Sequence, residues 1–233
     1  MATPGALITA VAEASGIPAA SLAVYDRHLR ASGLRTKGGR GRGAAQVTAR
    51  DVATLLVAIL GSGELVAAPG TVRRYLQARP HPARTGKALY GALGLSELDA
   101  LPATHSFVDA LEAIIASAVS GDLAHVMGAR GAISRTRGAA TAPILEVAAL
   151  TPGTVGDIRV AGLPNQATAA VRYVLPSPFD KASGGRSSTR TLKAWASKVR
   201  RDRSDTDLEQ YRRLSARTIL AAAAAIRPKE EAQ

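Results

Sequence analysis

Seven cationic side chains and no acidic one fall between Arg27 and Arg50: Arg27, Arg30, Arg35, Lys37, Arg40, Arg42 and Arg50. Charge of one sign at this density suits the neutralisation of phosphates along a nucleic-acid backbone, and arginine can also read guanine in the major groove. The local sequence Leu34-Arg35-Thr36-Lys37-Gly38-Gly39-Arg40-Gly41-Arg42-Gly43 adds a second element. Its glycines let a ribbon approach a sugar-phosphate backbone closely, and its arginines can enter a narrow minor groove or bridge phosphates. The plainer alternative is a solvated linker. Gly39, Gly41 and Gly43 do not complete a dinucleotide-binding fingerprint, and no predicted strand precedes them.

Other chemistry is poorly supplied. The chain has no cysteine, which excludes a thiolate metal site or a cysteine nucleophile. His28, His81, His105 and His125 stand at no metal-ligand spacing. There is no G-x-S-x-G and no phosphate loop ending in Gly-Lys-Ser/Thr. Asp109 and Glu112, one helical turn apart, read as a cap and a solvated acid. No catalytic residue, metal or cofactor is therefore expected, and the protein is not read as an enzyme. A second basic region, Lys181 to Arg217, holds eleven cations diluted by Asp202, Asp205, Asp207 and Glu209. Its Arg200, Arg201, Arg203, Arg212 and Arg213 form either a phosphate-binding surface or the outer faces of helices that pack through Leu192, Trp195, Tyr211 and Leu214. The interleaved acids favour packing.

These residues need elements to position them. A chain of 233 residues with 46% apolar and only 3% aromatic residues builds its core from Ala, Leu, Val and Ile, and a net charge of +12 keeps it soluble. The start lacks a signal-peptide pattern, and Val52–Leu60 and Leu220–Ile226 are too short to span a bilayer, so a cytoplasmic location is expected. Leu7–Ala14 reads as a short helix broken by Gly16. Ala19–Ser32 carries Leu22, Tyr25 and Leu29 on one helical stripe and ends at Gly33. Thr48 and Asp51 mark the start of a third helix, whose buried face is Val52, Leu55, Leu56, Ile59 and Leu60. A short helix follows near Val72–Ala78, and the Pro/Gly-rich stretch Pro80–Gly86 is the expected domain boundary. Ser106–Ala118 is a helix with Phe107, Leu111, Ile114 and Ile115 inward. Ala132–Arg135, Ile144–Leu150, Asp157–Val160 and Thr168–Leu175 then read as short strands of an antiparallel meander. After a polar linker, two helices are predicted, Thr189–Val199 and Asp207–Ile226.

Ala12, Gly16, Ile17, Leu22 and Tyr25 occupy the relative positions a helix-turn-helix requires: a small residue where helices touch, a glycine in the turn, and apolar residues docking the second helix. The second helix then presents Ala20, Ser21, Ala23, Val24, Arg27 and His28 outward. With the Arg35–Gly43 wing and Thr48-Ala49-Arg50-Asp51-Val52 following in order, residues 5–60 resemble a winged helix-turn-helix of the MerR type. The resemblance implies DNA binding by recognition helix and wing. The wing here is richer in glycine, and the long dimerising coiled coil of that family does not follow, so effector sensing is not carried over. Similar domains occur in phage-derived excision factors and packaging proteins.

The expected fold is α+β: an N-terminal winged helix-turn-helix (1–63), a connecting region (64–102), a central helix with a small antiparallel sheet (103–178), and a basic linker with a C-terminal helical pair (179–233). The expected function is sequence-selective binding of double-stranded DNA, as a transcription regulator and as a homodimer or higher oligomer. Ser21, Arg27 and His28 face bases, while Arg30, Arg35, Lys37, Arg40, Arg42 and Arg50 hold backbone or minor groove. The alternatives are a phage-type packaging or architectural protein, and a protein-interaction or small-ligand module with incidental DNA binding.

Overall fold

The computed structural model describes residues 3–36, 46–81, 93–128, 144–163, 166–176 and 210–228. Helix α1 (Pro4–Ser15) starts where the Thr3 hydroxyl accepts from the Ala6 N–H at 3.2 Å. It stops at Gly16, whose φ of 75° is left-handed and favours glycine. Helix α2 (Ala19–Ala31) buries Leu22, Tyr25, Asp26 and Leu29 along one stripe. Helix α3 (Ala49–Gly61) opens on a full capping box, with the Thr48 hydroxyl accepting from the Asp51 N–H and the Asp51 carboxylate accepting from the Thr48 N–H.

Every residue of α3 from Asp51 to Gly61 is buried, where the sequence suggested a single inward face. A helix apolar around most of its circumference belongs at the centre. Helix α3 is packed against α2, against α4 (Ala68–Tyr75), against α6 (Phe107–Ser120) and against the sheet. Between α4 and α6 lie a two-residue strand, β1 (Arg79–Pro80), and one helical turn, α5 (Ser96–Asp99). Ser106 and Asp109 give α6 a second capping box.

The expected meander is present as β2 (Ile144–Thr151), β3 (Val155–Leu163) and β4 (Gln166–Val174), while Ala132–Arg135 lies outside the described residues. The strand order is β1-β4-β3-β2-β5, antiparallel throughout, so the protein is α+β. Strand alternation sends Val147, Ala149, Ile158, Val160, Val171 and Tyr173 into the core and Glu146, Arg159 and Arg172 to the other face.

One expectation is corrected at the C-terminal end. Residues 210–215 of the predicted helix 207–226 are a strand, β5 (Gln210–Ser215), which pairs with β2 from Glu146↔Ser215 to Thr151↔Gln210. Only Ala216–Ile226 is helical (α7), and the other half of the predicted pair, Thr189–Val199, lies outside the described residues. The physical reason is a free place beside β2. A strand there satisfies β2's outer backbone groups and turns Leu214 inward, which outweighs the helical spacing of Tyr211, Leu214 and Ile219. Helix α7 then packs on α1 and α6, and one hydrophobic core runs from Leu7 to Ala223. Among the described residues no helix is long and apolar enough to cross a membrane.

Aromatic side chains gather where helices meet sheet. Phe107 lies with its ring centre 5.3 Å from those of both Tyr75 and Tyr173, and His105 meets Tyr173 edge-on. His105 is a buried, satisfied histidine: Nδ1 is 2.7 Å from the Pro102 carbonyl, to which it must donate, so Nε2 accepts from the Tyr173 hydroxyl at 2.9 Å. Burial lowers its pKa, against the opposing pull of the Pro102 carbonyl. The unfolded chain, with an ordinary histidine near 6.5, therefore binds a proton that the folded protein refuses. Stability is expected to be full above about pH 6.5 and to fall by up to about 1.4 kcal/mol per pH unit below it. Urea unfolding at pH 7.5 and 5.5 measures this, and His105→Gln is expected to remove most of the difference.

Candidate nucleic-acid interface

The Arg/Gly segment is tied down at its base by one carboxylate. Oδ1 of Asp51 accepts from the Thr36 N–H at 2.9 Å and from the Thr36 hydroxyl at 3.2 Å. Oδ2 accepts from the Thr48 N–H at 2.9 Å and from the Thr48 hydroxyl at 3.0 Å. The chain thus departs at Thr36 and returns at Thr48 on opposite oxygens of one buried side chain. Lys37, Arg40 and Arg42 fall between those two stems, outside the described residues.

A second anchor sits one residue earlier. Arg35, 5% exposed, forms an ion pair with Asp26 of α2, itself 2% exposed, and lies close enough to Asp51 to feel its charge. Burial lowers the Arg35 pKa while Asp51 opposes the shift. The same Asp26 accepts from Arg30 at 2.7 Å, one helical turn along α2. Arg35 is therefore engaged within the fold, where it fastens the first stem to α2. A signal for this was present in the sequence: Asp26 stands on the apolar stripe of Leu22, Tyr25 and Leu29, and an acid in such a place calls for a cation to meet it.

Arg50 is also engaged internally. Its Nη1 lies 2.6 Å from Asp109 and 2.8 Å from Glu112, joining the first turn of α3 to that of α6. Burial works against both charges, yet the pair and its hydrogen bonds prevail, so Arg50 is raised and Asp109 lowered from their ordinary values. The sequence reading of Asp109 as a cap holds, since its carboxylate accepts from the Ser106 N–H at 2.7 Å.

On α2, Ala20, Arg27, Arg30 and Ala31 are exposed, and Ser21, Ala23, Val24 and His28 are half-buried. Of the expected base-facing residues, Arg27 stands clear and Ser21 and His28 are partly covered. The structure adds one cation that no sequence pattern marked. Exposed Arg73 of α4 donates through Nη2 to the Ser32 carbonyl at 3.3 Å, at the C-terminal end of α2. This contact joins residues 41 positions apart, so no local pattern announces it.

The second basic region divides. Arg212 turns inward, donating to the Ile59 and Ser62 carbonyls at 3.2 and 2.6 Å, where a cation suits the end of α3. Arg213 faces the other way and pairs with Glu146 at 3.3 Å. Beside it, Asp157 accepts two hydrogen bonds from Arg172 and one from Arg159. Burial would raise the Asp157 pKa, but these guanidinium groups hold it below the usual carboxylate range. Arg200, Arg201 and Arg203 lie outside the described residues.

Among the described residues no group of three or more His, Cys, Asp or Glu is placed to hold a metal ion. Comparison with protein-family models, with curated proteins and with solved structures gives no match.

Proposed function

We propose that the protein binds double-stranded DNA through the outer face of α2 and the cationic segment held between Thr36 and Thr48, and that it acts as a transcription regulator. The observation that carries this reading is the Asp51 clamp. Pinning Thr36 and Thr48, on either side of this glycine- and arginine-rich sequence, to one buried carboxylate gives it a rigid base, as a wing serving a neighbouring helix requires. Of the residues expected from the sequence to touch DNA, Arg30, Arg35 and Arg50 are engaged by carboxylates, and of these three Arg30 alone is exposed. The contact set we propose is accordingly Ser21, Arg27, His28, Arg30, Lys37, Arg40 and Arg42, with Arg73 added. A dimer is part of the proposal, because one short helix supplies few base contacts.

The test is a salt-titrated binding assay on duplex DNA comparing the parent with a Lys37→Ala/Arg40→Ala/Arg42→Ala variant, in which Arg35 is kept because it is structural. Each phosphate that is no longer neutralised lowers the slope of log K against log salt by about 0.9, so a drop of about 2–3 is expected. An unchanged slope rejects the segment as a DNA-binding element. Selection from random duplexes is expected to return a motif, and recovery of none moves the protein to an architectural or packaging role.

A further inference from the structure

We propose that the cleft between the α1–α2 turn and strand β5 is a binding site for a small organic acid with an apolar body. The cleft has a volume of about 570 Å³, within the range of small-molecule sites. Ile17 of the turn, Leu65, and Leu214 of β5 supply apolar wall, and among the described residues no Asp or Glu lines it.

Two polar groups in the wall have hydrogen-bonding capacity to spare among the described residues. Tyr25 lines the cleft, and its hydroxyl, which is not closed off from solvent, has no hydrogen-bond partner among the described residues and so is open to a ligand in the cleft. Among the described residues Arg212, also in the wall, donates only to neutral oxygens: the Ile59 and Ser62 carbonyls and the Gln210 side chain at 2.8 Å. It forms no ion pair with a described carboxylate, and its guanidinium has five N–H donors, more than those three contacts use. Arg213 does not answer the same need, since its charge meets Glu146 on the far face of the sheet. The first turn of α2, which no side chain caps, adds a further positive end beside Ser21. A cation without a described carboxylate partner, a phenol with a free hydrogen-bonding hydroxyl among the described residues and an apolar wall together fit a carboxylate carrying a hydrocarbon or aromatic body. The cleft shares Ser21 with the proposed DNA contacts, but neither Arg212 nor Tyr25 enters that reading.

The full chain is titrated with 1-anilinonaphthalene-8-sulfonate, an anion with an aromatic body, and the bound dye is challenged with decanoate and with decan-1-ol. Saturable binding is expected, displaced by decanoate at concentrations about tenfold below those needed for the alcohol. Leu65→Trp, which fills the cleft, is expected to abolish dye binding while leaving the circular dichroism spectrum unchanged. Arg212→Gln is expected to weaken decanoate about tenfold, and because Arg212 also caps α3, Tyr25→Phe provides a second variant, with affinity reduced several-fold. No dye binding, equal displacement by the alcohol, or undiminished binding in Leu65→Trp overturns the proposal.

Discussion

Asp51→Ala is expected to cost roughly 3–5 kcal/mol of stability, the range for removing one partner from a buried, hydrogen-bonded charge cluster. The carboxylate accepts from both the backbone and the hydroxyl of Thr36 and of Thr48, and it lies near the buried Arg35. Alanine leaves those donors pointing at nothing and Arg35 with less opposing charge. Asp51→Asn is expected to fare little better, because one half of an amide is itself a donor and would face the donors of Thr36 or Thr48. Thr36→Val, which deletes a single hydroxyl contact, is expected to cost about 1 kcal/mol. Urea unfolding orders the three variants. If Asp51→Asn matches the parent, the carboxylate is not what holds the two stems together.

The second large effect concerns Phe107 and Gly156. Phe107 is fully buried between Tyr75 and Tyr173, so Phe107→Ala is expected to cost about 3–5 kcal/mol. Gly156 lies beneath that ring on β3, and a Cβ added there would come within 2.7 Å of two Phe107 ring atoms. The ring is held by aromatic neighbours on two sides and has little room to give, so Gly156→Ala is expected to cost at least about 1–3 kcal/mol. The two changes are expected to be non-additive. Once the ring is gone, the new methyl enters vacated space, and the double variant should be no less stable than Phe107→Ala alone. A double-mutant cycle by chemical denaturation measures the coupling. Simple additivity would mean that Gly156 is required for some reason other than the ring.

Several elements were legible because their signals are local. Thr48 with Asp51 and Ser106 with Asp109 announce helix starts through chemistry confined to four residues, and both capping boxes are present. The meander was legible because Ile144–Leu150 and Thr168–Leu175 are short β-type runs bounded by turn residues. Strand β5 was not, because an arginine occupies an inward position. In Gln210-Tyr211-Arg212-Arg213-Leu214-Ser215 the alternation of apolar and polar is broken at Arg212, which is tolerated inside only because α3 ends there with open carbonyls. That compensation comes from about 150 residues away, and no window on the sequence contains it. The candidate interface divides in the same manner. Charge density marked the segment Arg27–Arg50, but whether a given arginine faces outward depends on distant acids. Asp26 engages Arg35, and Asp109 with Glu112 engages Arg50, while Arg27 remains exposed.

The contact of α1 with α7 has a consequence in time. Some 200 residues separate these helices along the chain, so α1 gains its last packing partner only when α7 has been made. At a synthesis rate of about 5–20 residues per second, that is a wait on the order of 10–40 s during which apolar side chains such as Leu7 and Val11 lack part of their cover. For a ribosome-bound chain this interval, rather than the final stability, sets how long the N-terminal helices are exposed to chaperones, proteases and one another.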